Sequence, residues 1–215
     1  MRTLVVLARW PAPGRCKRRL ARSCGSAVAA ARMQWALTRH TVAVARAAAG
    51  RSGAQLCLAA DGLGPRALRR WGVELGAERS QAQGGGGLGT RMQRQLRRGF
   101  RAGAEQVVLI GSDLPGLDCA DLTAAFAALD HNPLVLGPAG DGGYWLIGLN
   151  RQGFAQAGAR LMSGVAWGSS QVLADTLSRA AQLELTCTLL RRQNDLDRRG
   201  DLEPWLLPRA EHSSR

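Results

Sequence analysis

One carboxylate stands where a strand would deliver it for chemistry. Asp113 follows the aliphatic run Val107 to Ile110 within Gly111-Ser112-Asp113-Leu114-Pro115, so a lone acid arrives at a strand's carboxyl end in a tight turn. An acid there is costly unless it is solvated, paired or metal-bound. Bound to Mg²⁺ or Mn²⁺, it can hold the ion against a diphosphate and neutralise charge on a leaving group. The plainer alternative is that Asp113 caps the helix expected from about Asp118, or only shapes the turn.

A second acid, Asp141, sits in Gly137-Pro138-Ala139-Gly140-Asp141-Gly142-Gly143-Tyr144. Two adjacent glycines let the backbone pass close to a ligand, and Asp141 could be a further metal or sugar-hydroxyl ligand. Asp-Gly-Gly is equally good hairpin chemistry, and taken alone the hairpin is the better reading.

The third constellation is cationic. Arg9-Trp10-Pro11-Ala12-Pro13-Gly14-Arg15-Cys16-Lys17-Arg18-Arg19 lies between the first strand and the first long helix, where backbone N–H groups and cations suit a pyrophosphate. Neither a Walker spacing nor a G-x-G-x-x-G fingerprint is present. Lys17 is the single lysine among 29 basic residues. Gly84 to Gly87, followed by Leu88-Gly89-Thr90-Arg91-Met92, reads either as a lip over a base or sugar or as a plain linker. Asp195, Asp197 and Asp201 fit caps and turns better than ligands. His40, His131 and His212 have no partner pattern, and no Ser-His-Asp, H-E-x-x-H or kinase set occurs.

The net charge of +13 is uneven: the first sixty residues hold ten arginines and Lys17, and the first acid is Asp61. Such a field draws phosphates into a cleft, although an Arg-rich composition explains most of the excess. Five scattered cysteines without a C-x-x-C pair suggest neither a disulfide framework nor a zinc site. The opening apolar stretch is too short for a signal peptide, and no later one approaches a membrane span of about 18 residues, so a cytoplasmic location is the default.

The elements that must position these residues alternate. Strands are expected at Thr3 to Ala8, Gln55 to Ala60, Gln106 to Ile110, Leu134 to Leu136, Tyr144 to Leu149 and Leu183 to Leu190. Helices are expected at Ser26 to Ala49, Pro65 to Trp71, Leu88 to Ala102, Cys119 to Leu129 and Ser170 to Ala181, with a short terminal one at Asp201 to Leu206. This alternation argues for an α/β fold of three layers, with a mostly parallel sheet in one domain over residues 1–207 and a disordered tail over 208–215. Ligands then bind beyond the carboxyl ends of the strands, which nominates the loops at 9–19, 111–117 and 137–143.

Taken together, these blocks resemble a family of small bacterial transferases with the GT-A, Rossmann-like nucleotide-diphospho-sugar fold, associated with radical-SAM, selenodomain and arsenosugar-biosynthesis genes. The resemblance runs nearly end to end, through residues 8–20, Leu88 to Met92, Gly111 to Leu117, Gly137 to Tyr144, Trp167 and Asp195-Leu196-Asp197. More distantly the chain is similar to molybdenum-cofactor nucleotidyltransferases and phospholactate guanylyltransferases. The resemblance implies a metal-dependent transferase with Mg²⁺ or Mn²⁺ at the catalytic pair Asp113 and Asp141. It implies nucleotide contacts from Arg9, Pro13, Gly14, Lys17, Arg19, Leu88, Gly89, Arg91 and Ser112, and substrate contacts from Gly142, Gly143, Tyr144 and Trp167. The chain departs from the family pattern at Arg9, Arg18, Gly87 and Gly140, where the family has Lys, Thr, Asp and often an acid.

The expected substrates are a nucleotide sugar and a small-molecule acceptor. The alternative is nucleotidyl transfer from a nucleoside triphosphate, which releases pyrophosphate. A basic nucleic-acid or regulatory binding module is more remote, since few aromatics lie among the basic clusters. A homo-oligomer is left open.

Overall fold

The computed structural model describes residues 1–196 and residue 201. Seven strands form one sheet: β1 (Arg2–Arg9), β2 (Ala54–Asp61), β3 (Arg79–Ala82), β4 (Gln106–Ile110), β5 (Leu134–Pro138), β6 (Tyr144–Asn150) and β7 (Cys187–Leu189). Their order is β3-β2-β1-β4-β6-β5-β7. Every neighbouring pair is parallel except those made by β6, which runs antiparallel to β4 and β5.

Alternation along each buried strand sorts side chains to two faces. From β1, Leu4, Val6 and Ala8 join one apolar cluster and Val5 joins the other. The first cluster is closed by α2 (Ala27–Ser52), α3 (Pro65–Glu74) and α5 (Cys119–His131), through Ala45, Trp71 and Phe126. The second is closed by α4 (Leu88–Arg101), α6 (Arg151–Ala157) and α7 (Val172–Gln182), through Leu96, Phe100, Ala157 and Ala180. The result is the expected three-layer arrangement with a mostly parallel sheet. A further short helix, α1 (Arg18–Cys24), precedes α2.

Three of the strands and α-helices were not expected from the sequence. β3 is a polar four-residue edge strand, α1 begins inside the basic segment read as loop, and α6 follows β6 directly from the Asn150 cap. One expectation was too long: the strand foreseen over Leu183 to Leu190 is confined to Cys187–Leu189. Leu183 caps α7 and Glu184 turns at φ 54°, so the residues before Cys187 are spent reversing the chain. The expected terminal helix at Asp201 to Leu206 and the tail at 208–215 lie outside the described residues, Asp201 apart. Among the described residues, no helix is long and apolar enough to cross a membrane.

Candidate functional site

The carboxyl ends of β1 and β4 lie side by side, and the chain leaves each into a loop facing the other. After β1, Trp10 is held by a hydrogen bond to the Asp61 carbonyl and by edge contacts with Trp35 and Trp71 at 5.9 and 5.1 Å. Pro13 and Gly14 then make a turn closed by the Arg15 amide and the Ala12 carbonyl, with Gly14 at φ 74°. Pro at the second and Gly at the third position, with φ positive at the third, is type II turn chemistry. The turn aims Cys16 and Lys17 inward, and Lys17 itself takes a left-handed conformation, φ 45° and ψ 46°, at the start of α1. A lysine in that region is strained, a feature that clusters at binding sites.

The Lys17 side chain is 2 % exposed and its ammonium lies 3.1 Å from Asp113 Oδ2, while Asp113 is 39 % exposed. Lys17 Nζ also donates to the Leu196 carbonyl at 2.6 Å. From α2, Gln34 donates to Asp113 Oδ1 at 3.0 Å and lies within 3.2 Å of the Ser112 hydroxyl. Asp113 therefore does not cap α5. That helix has its own reciprocal cap, in which Asp118 and Asp121 each accept the other's backbone N–H.

Around Asp113 lies a cavity of about 730 Å³. Of the residues nominated from sequence, Arg9, Lys17, Arg19, Leu88, Arg91, Ser112, Asp113 and Tyr144 line it. Arg15 and Arg18 add two further cations, and Asp195 a second carboxylate. The walls are thus strongly cationic around two acids, a setting that attracts phosphates and concentrates field in a concave site.

The other nominated residues stand elsewhere. Pro13 and Gly14 shape the turn without lining the cavity. Gly89 is the seat of Trp167, where a Cβ would come within 2.5 Å of the indole nitrogen. Trp167 in turn meets the Tyr144 ring edge-on at 6.2 Å. Gly142 at φ 88° and Gly143 belong to the turn joining β5 and β6. Asp141 is exposed in that same turn, outside the cavity lining, and its Oδ1 accepts from the Gly143 amide at 2.9 Å. The hairpin role is thus the one the structure displays for Asp141. Tyr144 lines the cavity, but its hydroxyl is buried beside Thr176, outside hydrogen-bond geometry. Burial pushes that phenol well above its ordinary pKa, so it stays neutral.

Two polar residues of the cavity, Gln34 and Gln83, were not singled out from the sequence, and a third, Asp195, was not expected to reach a ligand. Gln34 carried a signal, because Gln34, Thr38 and Thr41 put polar groups on the buried stripe of an Ala/Val-rich helix. Asp195 was set aside as a turn residue. It reaches the cavity because the segment after β7 is stitched across the strand ends. Gln193 donates to the Pro138 carbonyl and accepts from the Gly140 amide, and the Leu196 amide donates to the Asp113 carbonyl at 3.0 Å. Arg191 clasps the same segment to the buried Asp121, with Nη2 at 2.7 Å from Oδ2.

Cys16 also lines the cavity, but burial, together with the Asp113 carboxylate, raises its thiol above the ordinary value. A neutral buried thiol is no nucleophile. Among the described residues no group of three His, Cys, Asp or Glu is spaced to hold a metal. A donor set of one or two carboxylates suits a hard oxygen-loving cation that keeps waters and takes phosphate oxygens from its ligand, as Mg²⁺ does.

The fold resembles several solved structures. A candidate nucleotide-diphospho-sugar transferase from Desulfovibrio desulfuricans G20 matches with TM-score 0.83 and 28 % identity, over 99 % of this chain and 89 % of that one. The inositol-1-phosphate CTP transferase of T. maritima matches with TM-score 0.56 and 13 % identity, over 94 % of this chain and 91 % of that one. Rv0371C of Mycobacterium tuberculosis H37Rv, solved with manganese, matches with TM-score 0.53 and 19 % identity, over 95 % and 97 %. The last two similarities concern the fold alone. No curated protein sequence is a significant match. Residues 41–169 match the family described as "Uncharacterized protein conserved in bacteria (DUF2064)", and the chain belongs to that family.

Proposed function

We propose that this protein is a divalent-metal-dependent transferase acting on a nucleotide-activated substrate, a glycosyltransferase using a nucleotide-diphospho-sugar. The observation that carries the proposal is Asp113: a part-exposed carboxylate at the β4 terminus, oriented by Lys17 and Gln34, facing a cationic cavity. The similarity to the Desulfovibrio protein supports the donor class, and the manganese bound by the Mycobacterium protein of the same fold supports the metal. The gene associations of the resembling family, with radical-SAM and arsenosugar biosynthesis, belong to the same proposal.

Asp113 would hold Mg²⁺ or Mn²⁺, which when bound supplies Lewis-acid neutralisation of the diphosphate. Asp195 is better placed than Asp141 as the second acid, because it already lines the cavity. Lys17, Arg19 and Arg9 would bind the phosphates and stabilise the charge that grows on them. An acceptor hydroxyl attacks the anomeric carbon. The carbon–oxygen bond to the β-phosphate breaks, its electron pair leaves with the nucleoside diphosphate, and the hydroxyl proton passes to solvent.

Nucleotidyl transfer is the second reading, favoured by the excess of cations over carboxylates in the cavity, which suits a triphosphate. Product analysis separates the two: free nucleoside diphosphate supports glycosyl transfer, and pyrophosphate supports the alternative.

A further inference from the structure

Gln83 is buried just beyond β3, and nearly all its hydrogen-bonding capacity is spent. Its amide donates to the Ala60 carbonyl at 2.9 Å, and its carbonyl accepts from Gln95 and Arg94 on α4. The side-chain Nε2 donates to two backbone carbonyls, Ala8 of β1 at 2.8 Å and Ala59 of β2 at 3.1 Å. Two carbonyl neighbours can only face an N–H₂ group, so the carboxamide cannot flip. Oε1 accordingly faces the other way, toward Arg91, and both residues line the cavity.

Arg91 stands beside it. Its Nε donates to the Gly86 carbonyl at 2.9 Å, and its Nη1 to Asp61 Oδ2 at 2.8 Å and Gln83 Oε1 at 3.3 Å. Nη2 has no hydrogen-bond partner among the described residues. One lone pair of Oε1 and the two hydrogens of Nη2 therefore remain beside each other, with Gln83 held by two backbone carbonyls and Arg91 by the Gly86 carbonyl and the Asp61 carboxylate. Leu88, 50 % exposed, and the buried Met92 are apolar residues of α4 that line the same cavity. Gln83 spans the β1 and β2 ends, whereas Asp113 leaves β4 on the other side of β1. Strand spacing of about 4.8 Å puts the two roughly one to two strands apart, the span of a nucleoside between base and phosphate.

We infer that Gln83 is a specificity-determining residue that reads the nucleobase: its Oε1 accepts a base N–H while Arg91 Nη2 donates to the acceptor next to it. The assignment rests on the nucleotide reading above and adds the residue that selects the base. A buried acceptor left without its donor penalises the wrong ligand, which is how a fixed polar group discriminates.

The test is calorimetric titration of wild type and Gln83→Met with UDP, CDP, GDP and ADP, each with Mn²⁺. Two further probes are the same nucleotides with the base N–H blocked by methylation, and inorganic pyrophosphate with Mn²⁺. Wild type should prefer one base, and Gln83→Met should lose roughly ten- to a hundredfold in affinity for it, with pyrophosphate unchanged. The methylated base should suffer a similar loss on wild type and little further loss on the variant. If Gln83→Met weakens pyrophosphate as much as the nucleotides, or if the methylated base binds wild type as well as its parent, the inference is overturned. Wild type that binds pyrophosphate but discriminates no base also overturns it while leaving the phosphate site standing. Wild type that binds no nucleotide overturns the function itself. Should the variant not fold, the methylated series on wild type decides alone.

Discussion

Lys17 and Asp113 meet at 3.1 Å across the two loops that leave β1 and β4, with the cation buried and the anion facing the cavity. The asymmetry matters, because a buried ammonium needs its partners while the exposed side of the carboxylate stays available to a ligand. Lys17 Nζ bonded to the Leu196 carbonyl also ties the late segment to this pair.

Two substitutions at Lys17 separate backbone from side chain. Lys17→Ala removes the ammonium and keeps a Cβ at φ 45°, whereas Lys17→Gly removes both the ammonium and the left-handed penalty. Thermal or denaturant unfolding should find the glycine variant more stable than the alanine variant by about 1 kcal/mol. Both should bind nucleotide weakly. Equal stability would mean that the left-handed turn carries no cost here.

Asp61 holds Arg91, and hydrogen bonding from that guanidinium lowers its pKa most, with Arg9 adding to the effect. A depressed folded-state pKa contributes stability that is complete above the ordinary carboxylate value, about pH 4, and is lost as pH falls through the folded value. The stability gap between wild type and Asp61→Asn should therefore be flat from neutral pH down to about pH 4 and shrink below it. Melting curves of the two proteins at pH 7, 5, 4 and 3 test this. A gap that widens on acidification would contradict the pairing.

At Gly89 the indole of Trp167 leaves no room for a methyl group. Gly89→Ala should cost about 1–3 kcal/mol by overpacking and shift Trp167 fluorescence, even though alanine favours helix by itself. A stabilised variant would show that Trp167 does not sit there.

The two secondary acids make a direct comparison. Asp195→Asn should weaken Mn²⁺ binding in the presence of nucleotide by about tenfold, the scale of one lost charge-assisted contact. Asp141→Asn should change it little, because its carboxylate serves the Gly143 amide. The reverse order, read by titration of Mn²⁺, would restore Asp141 to the site.

Much of this arrangement was legible in the sequence, and the exceptions have physical reasons. The run Val107 to Ile110 ending on Gly111-Ser112-Asp113 announced its strand and its acid, since period and turn chemistry are local. The hairpin at Asp141-Gly142-Gly143 was also legible, but whether its acid faces a ligand depends on packing, and here the turn claims it. Asp195 could not be placed because nothing local says that residues 190–196 cross the strand ends. That path is set by Arg191 on Asp121 and by Gln193 between Pro138 and Gly140. β3 was missed because Arg79-Ser80-Gln81-Ala82 lacks apolar alternation and pairs only at the sheet edge. The burial of Lys17 was equally hidden, since a basic loop predicts solvent exposure and only the fold supplies Asp113 and the Leu196 carbonyl.

The most direct test of the account is thermal unfolding of wild type and Asp113→Asn with a panel of nucleotides and nucleotide sugars, each with and without Mn²⁺. Wild type should show a rise in Tm for at least one nucleotide that requires the metal, and Asp113→Asn, while still folded, should lose it. A nucleotide-induced shift that survives in Asp113→Asn, or that is the same with the metal chelated, would contradict the assignment of Asp113 as the residue that holds a cation against phosphate.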